Sequence, residues 1–465
     1  MTLKLTKKFV KTAVLFISCA VVVTSCSAYS PEELIKPPQL NADKKEIKSA
    51  IDNFKPESAR DYLVQYFPDN SKSSFIVKDL DQDDQNEILY FYKEDMSQLC
   101  SLMILKKTGG VWDKAYSKTF KNFEPGRVDI QDLDNNSTRE ILIDGYRYQI
   151  SDDTYGTNNK IFTVIYYDKG KFSDAGEVPH MVMAEDFLDD DKLRDITFLK
   201  FVNDSKLPNL IIYNFDKNRF LKLIGRTVPE VYKPFEIKIG KITSDKDAIF
   251  INYVNEKNSG NTKIIFYNNI KNTFTSSKDE IGIDLDSMVL NVKAEDIDLD
   301  RIIEVGYKYK APNYSVPVND DSSCGLIDGY FAVKNGKLNL KKEIYNDYNF
   351  KFSIEFPQTF KGRYALSVSK DLADTNINFV TASGIEYPLF TISRIDRYKW
   401  NKDSLKAEYE NYQLLFETED YVISGVVYDF SGEVPVSERE TYADMRDKVL
   451  VLSNIVNNKN YTGVD

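Results

Sequence analysis

The sequence predicts a mainly β protein, in which a β-propeller of about five blades is followed by a small α+β sandwich domain. An acidic residue followed by a short apolar run recurs at intervals of 53, 55, 52 and 57 residues. A period of this length is typical of repeated four-stranded units. Beyond residue 345 the pattern changes to short strands combined with helical segments, which is typical of an α+β domain. The acidic anchors of the period are Glu87, Glu140, Asp195, Asp247 and Glu304.

The N-terminal segment has the composition of a secretory leader. Four lysines, at positions 4, 7, 8 and 11, precede an apolar stretch over residues 13–23, which is too short for a membrane-spanning helix. The stretch ends in Val23-Thr24-Ser25-Cys26, which resembles the bacterial lipobox. The resemblance implies that residues 1–25 are a lipoprotein signal peptide and that Cys26 becomes the first mature residue, carrying diacylglycerol. An ordinary signal peptide with a chance cysteine is the alternative.

These features predict a protein that is lipid-anchored at the extracytoplasmic face of the bacterial cell membrane, with residues 26–43 as a lipidated tether. The chain has 72 acidic and 61 basic residues and a formal net charge of −11, which becomes −15 once residues 1–25 are removed. A chain this acidic does not attract nucleic acid through its net field, and an anionic bilayer repels it. We therefore expect acyl chains, and not charge, to hold it at the membrane.

Cysteine and histidine usage argues against several kinds of chemistry. The chain has no CxxC pair, which argues against zinc ribbons and thioredoxin-like redox sites. Its single histidine, His180, is interpreted as a loop residue, and one histidine argues against Ser-His-Asp, Cys-His and multi-histidine metal sites. Cys100 and Cys324 are placed near strands of the first and fifth blades. A disulfide between them and two free buried cysteines are the alternatives.

Residues 44–345 are predicted to form the propeller domain, which begins with a short helix over residues 44–54. Runs rich in Ile, Val, Tyr and Phe are separated by turns, including Asp168-Lys169-Gly170-Lys171 and Lys334-Asn335-Gly336-Lys337. A flanked Asn-Gly is a strong hairpin signal. A β-solenoid is the competing architecture, but it needs stacked identical positions that the sequence lacks. The blade count stays open between five and seven.

Three of the anchors close an acidic loop with oxygen-bearing side chains at positions 1, 3, 5 and 9. These loops resemble the FG-GAP or VCBS repeat of integrin-like propellers, and the resemblance implies structural calcium. Calcium prefers six to eight oxygen ligands at about 2.4 Å, and alternate residues of a curled loop can supply them. The implied ligands are Asp79, Asp81, Asp83 and Glu87 in the first loop, Asp132, Asp134, Asn136 and Glu140 in the second, and Asp296, Asp298, Asp300 and Glu304 in the third.

The other two repeats lack this chemistry. The residues before Asp195 include Phe187 at position 1, and those before Asp247 include Lys241 at position 3. We infer that the repeat is primarily a folding unit. Position 6, which is glycine in the family pattern, is Asp84, Ser137 or Arg301 here, so the acidic residues could instead cap turns and solvate the blade edges.

Residues 346–465 are predicted to form the α+β domain. It resembles the C-terminal domain of other Gram-positive surface lipoproteins and, more loosely, the PsbP-like fold, through short segments such as Ile354-Glu-Phe-Pro357 and Val426-Val-Tyr428. No catalytic residue follows from that resemblance. The expected elements are strands over 350–356, 364–368, 376–380, 389–395 and 421–429, and helices over 403–415 and 438–456.

Two functions remain open. The first is a non-catalytic binding or adhesion module that presents a protein or glycan ligand site, since tyrosines suit recognition and no catalytic constellation stands out. The second is a glycan-active hydrolase with a carboxylate pair. A carboxyl pair in a cleft, one with a raised pKa, would distinguish the enzyme from a module whose acids are confined to loops.

Overall fold

The computed structural model describes residues 42–67, 69–96, 98–148, 158–188, 192–202, 207–256, 259–311, 326–347, 352–369, 373–400, 411–450 and 455–457. This part of the chain is mainly β. Cys26 and the predicted tether lie outside the described residues, apart from the first two residues of helix α1 (Ala42–Phe54), which confirms the predicted N-terminal helix. None of the described helices combines the length and the apolar character that crossing a membrane requires.

Two sheets follow α1, the first antiparallel and the second mixed. The first has the order β1-β5-β6-β7, with β4 also on β5, and the second has the order β11-β10-β9-β8-β2-β3. The β2–β8 pair is parallel. The strands are β1 (Ala59–Asp61), β2 (Val64–Tyr66), β3 (Ser71–Ser73), β4 (Phe75–Lys78), β5 (Glu87–Glu94), β6 (Cys100–Thr108), β7 (Val111–Thr119), β8 (Phe123–Gln131), β9 (Glu140–Arg147), β10 (Lys160–Asp168) and β11 (Lys171–His180).

The third and fourth sheets are four-stranded meanders, and a short helical segment follows them. The third sheet has the order β12-β13-β14-β15 and the fourth β16-β17-β18-β19. The elements are β12 (Val182–Asp186), β13 (Asp195–Phe201), β14 (Pro208–Asp216), β15 (Arg219–Thr227), β16 (Lys233–Thr243), β17 (Lys246–Val254), β18 (Gly260–Asn268), β19 (Thr273–Thr275), α2 (Ser277–Ile281) and a 3₁₀ turn (Leu285–Ser287).

The fifth and sixth sheets complete the described chain. Their orders are β20-β21-β22-β23-β24-β30 and β25-β26-β27-β29-β28. The elements are β20 (Val292–Glu295), β21 (Glu304–Lys310), β22 (Leu326–Lys334), β23 (Lys337–Asp347), β24 (Phe352–Phe356), a 3₁₀ turn (Gln358–Phe360), β25 (Tyr364–Val368), β26 (Asp374–Val380), β27 (Glu386–Asp396), α3 (Arg397–Trp400), β28 (Gln413–Glu417), β29 (Tyr421–Val427), a 3₁₀ turn (Val436–Glu438), α4 (Arg439–Leu450) and β30 (Ile455–Asn457).

The acidic period of the sequence marks the same place in each of the first five sheets. Four anchors are the first residue of β5, β9, β13 or β21, and Asp247 is the second residue of β17. Each of these strands is an inner strand of its sheet, with a hydrogen-bonded neighbour on both sides. The predicted hairpin turn is also present, because Asn335 and Gly336 join β22 to β23 with φ values of 53° and 68°, as a type I′ turn requires.

Each of the first five sheets is buried on both faces, by neighbouring sheets or, on the outer face of the first sheet, by α1. In β5, Leu89 and Phe91 face the second sheet, whereas Ile88, Tyr90 and Tyr92 face α1. This alternation follows from the two-residue period of a strand. Similar apolar layers lie between the second and third, third and fourth, fourth and fifth, and fifth and sixth sheets. The near-continuous apolar runs of the sequence are therefore strands with two covered faces.

The row of sheets does not close on itself, so the predicted five-bladed ring is not observed. Helix α1 packs Ala50 and Ile51 on the outer face of the first sheet. At the other end, Tyr345 and Phe352 of the fifth sheet pack against the sixth sheet, beside Tyr442 of α4. In a closed ring these two outer faces would bury each other. Here each is already covered by a different element.

Three predicted elements of the C-terminal part are corrected. The strand ending at Phe356 pairs with β23, so it belongs to the fifth sheet. Leu415 lies in strand β28 and not at the end of a helix, while residues 401–410 lie outside the described chain. Ile455 pairs with Ile354 in β30 instead of extending α4. In β28 and β30, strand pairing overrides a local helical pattern.

Cys100 is a free thiol buried between the first and second sheets. Burial raises its pKa to about 12, so it is unreactive at neutral pH. Cys324 lies outside the described residues. Because Cys100 is a free thiol, the structure does not contain the Cys100–Cys324 disulfide.

Candidate cation loops and binding groove

The three acidic loops adopt the backbone conformation that a calcium-type loop requires, although none has glycine at position 6. Positions 4 and 6 are both left-handed, with φ between 55° and 79°. Such a φ costs a non-glycine residue about 1 kcal/mol, so surrounding contacts must hold the turns. The residues concerned are Gln82 and Asp84 in the first loop, Asn135 and Ser137 in the second, and Leu299 and Arg301 in the third.

The closing acidic residue at position 9 supplies one of those contacts. Its side chain is fully buried, and it accepts a hydrogen bond from the backbone N–H of position 2. The pairs are Leu80 to Glu87 at 2.9 Å, Leu133 to Glu140 at 2.8 Å and Ile297 to Glu304 at 3.1 Å. Asp195 accepts the same bond from Leu188 at 2.8 Å, although its loop lacks an acidic residue at position 1. This hydrogen bond is therefore a feature of the fold that does not depend on a metal ion.

The side chains at positions 1 and 5 cap the turns of their own loops. Asp132 accepts the N–H groups of Asn136 and Ser137 at 3.2 and 3.0 Å, and Asp296 accepts the equivalent pair in the third loop at 3.2 and 2.9 Å. Asn136 Oδ1 accepts the N–H and the hydroxyl of Thr138. The turn-capping alternative from the sequence therefore applies to these positions, and Asn136 has its carbonyl oxygen committed to the loop.

The loops also join neighbouring sheets. The N–H of Arg139, in the second loop, donates to the carbonyl of Leu80 in the first loop at 2.8 Å. The N–H of Arg194 donates to Leu133 at 3.1 Å, and the N–H of Ile303 donates to Lys241 at 2.7 Å. The loops therefore form hydrogen-bonded contacts along one edge of the row.

An ammonium group lies inside the first acidic loop. Nζ of Lys106, on β6, is hydrogen-bonded to Asp81 and lies 3.0 Å from Asp83 Oδ2 and 3.5 Å from Glu87 Oε1. Burial favours the neutral amine, but the bonds to Asp81 and Asp83 outweigh it and raise the pKa of Lys106. The hydrogen bond from Lys106 likewise lowers the pKa of Asp83. The positive charge that this loop requires is thus supplied by the chain itself.

The third loop is arranged in a similar way. Nζ of Lys341, on β23, lies 2.8 Å from Asp298 and 3.5 Å from Asp300. The hydrogen bond between them lowers the pKa of Asp298 and raises that of Lys341. The fourth repeat also pairs a lysine with an acidic side chain, although its loop has lost the acidic residues: Lys241 lies 3.3 Å from the anchor Asp247.

The second loop differs, because no lysine or arginine of the described chain forms an ion pair with Asp132, Asp134 or Glu140. One oxygen from each of the three lies within 4.8 Å of the others. Glu140 Oε1 and Asp134 Oδ1 are buried and have no hydrogen-bond partner in the described structure. Burial raises the pKa of Glu140 to about 8 and also raises that of Asp134. The first loop also has two buried oxygens without a hydrogen bond in the described structure, Asp81 Oδ1 and Glu87 Oε1, and acidic oxygens of the first and third loops also lie within 4.8 Å of one another. The second loop differs from both in having no ammonium partner among the described residues, so its carboxylates remain available to a metal ion.

A groove of about 580 Å³ lies where the second, third and fourth sheets meet. Its floor includes a β-bulge at Gly126, between Pro125 and Arg127 of β8, opposite Gly145 of β9. A Cβ on Gly145 would lie 2.1 Å from the carbonyl oxygen of Glu124, so this close approach requires glycine. The groove is lined by Leu63, Gln65, Lys72, Gly126, Arg127, Asp144, Gly145, Tyr146, Lys160, Val182, Met183, Phe235, Glu236 and Ile237.

His180 holds one acidic side chain of this groove, and its interpretation as a loop residue is wrong. It is the last residue of β11, is fully buried, and has Nε2 2.9 Å from Asp144 Oδ1. None of the groove residues was a candidate from the sequence. The exposed aromatic side chains Tyr146 and Phe235 are 45% and 48% accessible, but only strand pairing brings them to one surface.

One carboxyl group near the groove has a raised pKa without belonging to an acidic loop. Burial raises the pKa of Glu185 to about 7, against the opposing effect of Arg194, which lies 3.0 Å away. Glu185 lines a cavity of about 20 Å³ together with Asp129 and Asp144. That volume holds about one water molecule, so a sugar ring cannot reach between these carboxyl groups.

Comparison with known proteins gives only distant likeness. No family model matches the chain, and neither does any curated protein sequence. A solved protein from Lactobacillus plantarum is 13% identical, with a TM-score of 0.29, over 70% of this chain and 83% of that one. A rhamnogalacturonan lyase from Bacillus licheniformis is 14% identical, with a TM-score of 0.31, over 70% and 60%. The exotype rhamnogalacturonan lyase YesX is 11% identical, with a TM-score of 0.28, over 72% and 69%. Likeness at this level carries no conclusion about this chain.

Replacing Lys106 by Met should destabilise the protein in the presence of a chelator, because Asp81, Asp83 and Glu87 would lose their ammonium partner. Breaking a buried ion pair costs about 3–5 kcal/mol. Added calcium should then restore part of the loss, since the vacated centre is lined by carboxylates. Chemical denaturation with chelator and with millimolar calcium measures both effects.

The matched control is Lys114→Met, on the exposed strand β7, which should behave as the unmodified protein does. If Lys106→Met and Lys114→Met have the same unfolding free energy in chelator, the internal ammonium does not hold the first loop.

Proposed function

We propose that this chain is a lipid-anchored, non-catalytic binding module of the cell surface, with the groove as its ligand site. In this proposal the five sheets are the blades of an open, propeller-like row. The first strands of the middle blades, β8, β12 and β16, all contribute to the groove. The observation that carries the proposal is this groove, whose volume lies in the range of about 300–1,000 Å³ that small-molecule sites occupy.

The chemistry of the groove favours binding over hydrolysis. Its two acidic side chains are already engaged, Asp144 by His180 and Glu236 by Asn252 at 2.9 Å. The carboxyl groups with raised pKa lie elsewhere, in the acidic loops, in the small cavity at Glu185 and at the buried Asp328 of β22. A glycosidase needs a raised-pKa acid and a second carboxylate on either side of an accessible bond, and this arrangement does not supply that pair at the groove.

The proposal includes one structural calcium ion, in the second loop. Asp132, Asp134 and Glu140 would hold it. Acidic oxygens of all three loops lie within 4.8 Å of one another, the largest separation that two ligands at about 2.4 Å from a shared ion can have, but only the second loop has no ammonium partner among the described residues. The ion would neutralise the buried charge of Glu140. In the first loop Lys106 lies 3.5 Å from the equivalent Glu87, and in the third loop Lys341 pairs with Asp298 and Asp300.

The membrane attachment rests on the lipobox-like sequence at Cys26 and on the net charge of the chain. A charge of −11 disfavours electrostatic attachment to an anionic bilayer. Two or more acyl chains are sufficient for stable anchoring. Lipid on Cys26 would place the module at the extracytoplasmic face of the cell membrane.

Replacing Tyr146 and Phe235 together by Ala should abolish recognition by the groove. On an array that carries neutral and acidic glycans, the unmodified protein should retain a set of glycans whose masses stay unchanged, whereas the double variant should not. Tyr398→Ala, an exposed tyrosine on α3 that is 69% accessible, is the control and should bind normally. Shortened glycan products would instead identify an enzyme, and binding that is equal in the double variant would remove the groove from this account.

Calcium titration should give one ion per chain and raise stability by about 2.7 kcal/mol at a hundredfold excess over the dissociation constant. Glu140→Gln keeps the shape of the side chain and removes its charge, so it should abolish the calorimetric signal. Asp298→Asn, in the third loop, is the control and should leave one ion. Three ions per chain, or no ion at all, would contradict the assignment of the second loop as the single calcium site.

Cys26→Ala should release the protein from the membrane fraction of a bacterial host that expresses the whole gene. The unmodified protein should remain with the membranes after a carbonate wash, because acyl chains do not depend on charge. Fractionation followed by immunoblotting measures the distribution. If the variant still sediments after the wash, an attachment other than lipid on Cys26 operates.

A further inference from the structure

We infer that the groove selects negatively charged oligosaccharides, that is, sugars bearing carboxylate or phosphate groups. This inference rests on the proposed function, because it specifies the ligand class of the same groove. It follows from three properties of the lining: the state of its acidic side chains, the state of its basic side chains, and the position of its aromatic rings.

The acidic side chains of the groove are already engaged by other groups of the protein. Asp144 Oδ1 lies 2.9 Å from Nε2 of the buried His180. Glu236 Oε2 lies 3.6 Å from Lys238 and 3.4 Å from Lys293. These carboxylates therefore have positive or hydrogen-bonding partners before any ligand enters, and they offer little attraction to a cationic one.

The basic side chains of the groove, in contrast, have few or no acidic partners within the described part of the protein. Lys72 and Lys160 form no ion pair with any described carboxylate. The ammonium of Lys160 lies 5.0 Å from the centre of the Tyr146 ring. The side chain of Arg127 is 43% accessible, stacks on Phe67 at 4.3 Å, and forms one ion pair among the described residues, with Asp129 at the long distance of 3.9 Å. It also lines the small cavity that contains Asp129, Asp144 and Glu185. Three cationic groups thus face the groove with donors available to a ligand.

The backbone explains why Arg127 points into the groove. The bulge at Gly126 shifts the register of β8 against β9, and a bulge re-aims the side chain that follows it. Asp144 is the residue of β9 that pairs with Arg127. Because His180 holds Asp144, the guanidinium keeps its hydrogen-bonding edge for an external anion, which Arg recognises in a bidentate geometry.

The aromatic rings provide the second half of the recognition. Tyr146 and Phe235 are each nearly half accessible, and they come from the second and fourth sheets, on two sides of the groove. Large, partly exposed rings supply apolar contact area at low entropic cost. The C–H faces of pyranose rings pack on such surfaces while their charged substituents reach the basic side chains.

The net charge of the protein does not oppose this preference at physiological salt. The screening length is about 8 Å at an ionic strength of 0.15 M, so distant acidic residues act weakly on a bound ligand. Contacts with Arg127 and Lys160 are made at hydrogen-bond distance and are screened much less. A locally basic groove on a chain of charge −11 therefore selects anions at contact.

The test is calorimetric titration of the full chain with three probes: a galacturonic acid tetrasaccharide, a phosphorylated oligosaccharide of similar length, and neutral maltotetraose. At least one anionic probe should bind about tenfold or more tightly than the neutral one. Arg127→Gln and Lys160→Gln should each weaken that probe about tenfold or more, as expected for charge-assisted hydrogen bonds. The two anionic probes distinguish a uronate ligand from a phosphate-bearing one.

Lys114→Gln, on β7 and outside the groove, is the matched control and should leave the affinity unchanged. Equal binding of maltotetraose, still lost in the Tyr146→Ala and Phe235→Ala double variant, would overturn the anionic preference while leaving the groove as a glycan site. Binding of an acidic peptide in place of every oligosaccharide would overturn the ligand class. No binding of any glycan would overturn the proposed function as well.

Discussion

The structure depends on one repeated contact, in which a buried acidic side chain at the start of a strand accepts the N–H of a loop residue seven positions earlier. Glu87, Glu140, Asp195 and Glu304 all make this bond. A buried carboxylate is costly unless it is hydrogen-bonded and its charge is balanced. Each repeat must therefore place a positive charge, or a proton, next to its anchor, and the loops differ mainly in how they do so.

This constraint explains why similar acidic loops have different partners. The first and third loops receive Lys106 and Lys341 from later strands of the same sheet, and the fourth repeat has Lys241 within the loop. Of the three acidic loops, only the second has no lysine or arginine partner among the described residues, and Asp134 Oδ1 and Glu140 Oε1 are buried there without a hydrogen bond. An ammonium and a divalent cation are thus alternative solutions to the same electrostatic problem, and the fold accepts either one.

The sequence was sufficient to predict the strand starts, because an acidic anchor followed by apolar residues indicates the end of a loop and the beginning of a buried strand. Asn335-Gly336 likewise fixes its turn through local backbone preference. The lysines of the first and third loops were not predictable, since strand pairing brings them to the acids from a distance along the chain. The same holds for α1 and the sixth sheet, which cover the ends of the row, and for the groove, where a bulge at Gly126 redirects Arg127.

The most direct test of this account is anomalous scattering from crystals of the protein grown in calcium, collected at a wavelength where calcium scatters strongly. The account predicts a single anomalous peak, bounded by Asp132, Asp134 and Glu140, with Lys106 and Lys341 still inside the first and third loops. Peaks in all three loops, with both lysines displaced towards solvent, would contradict it.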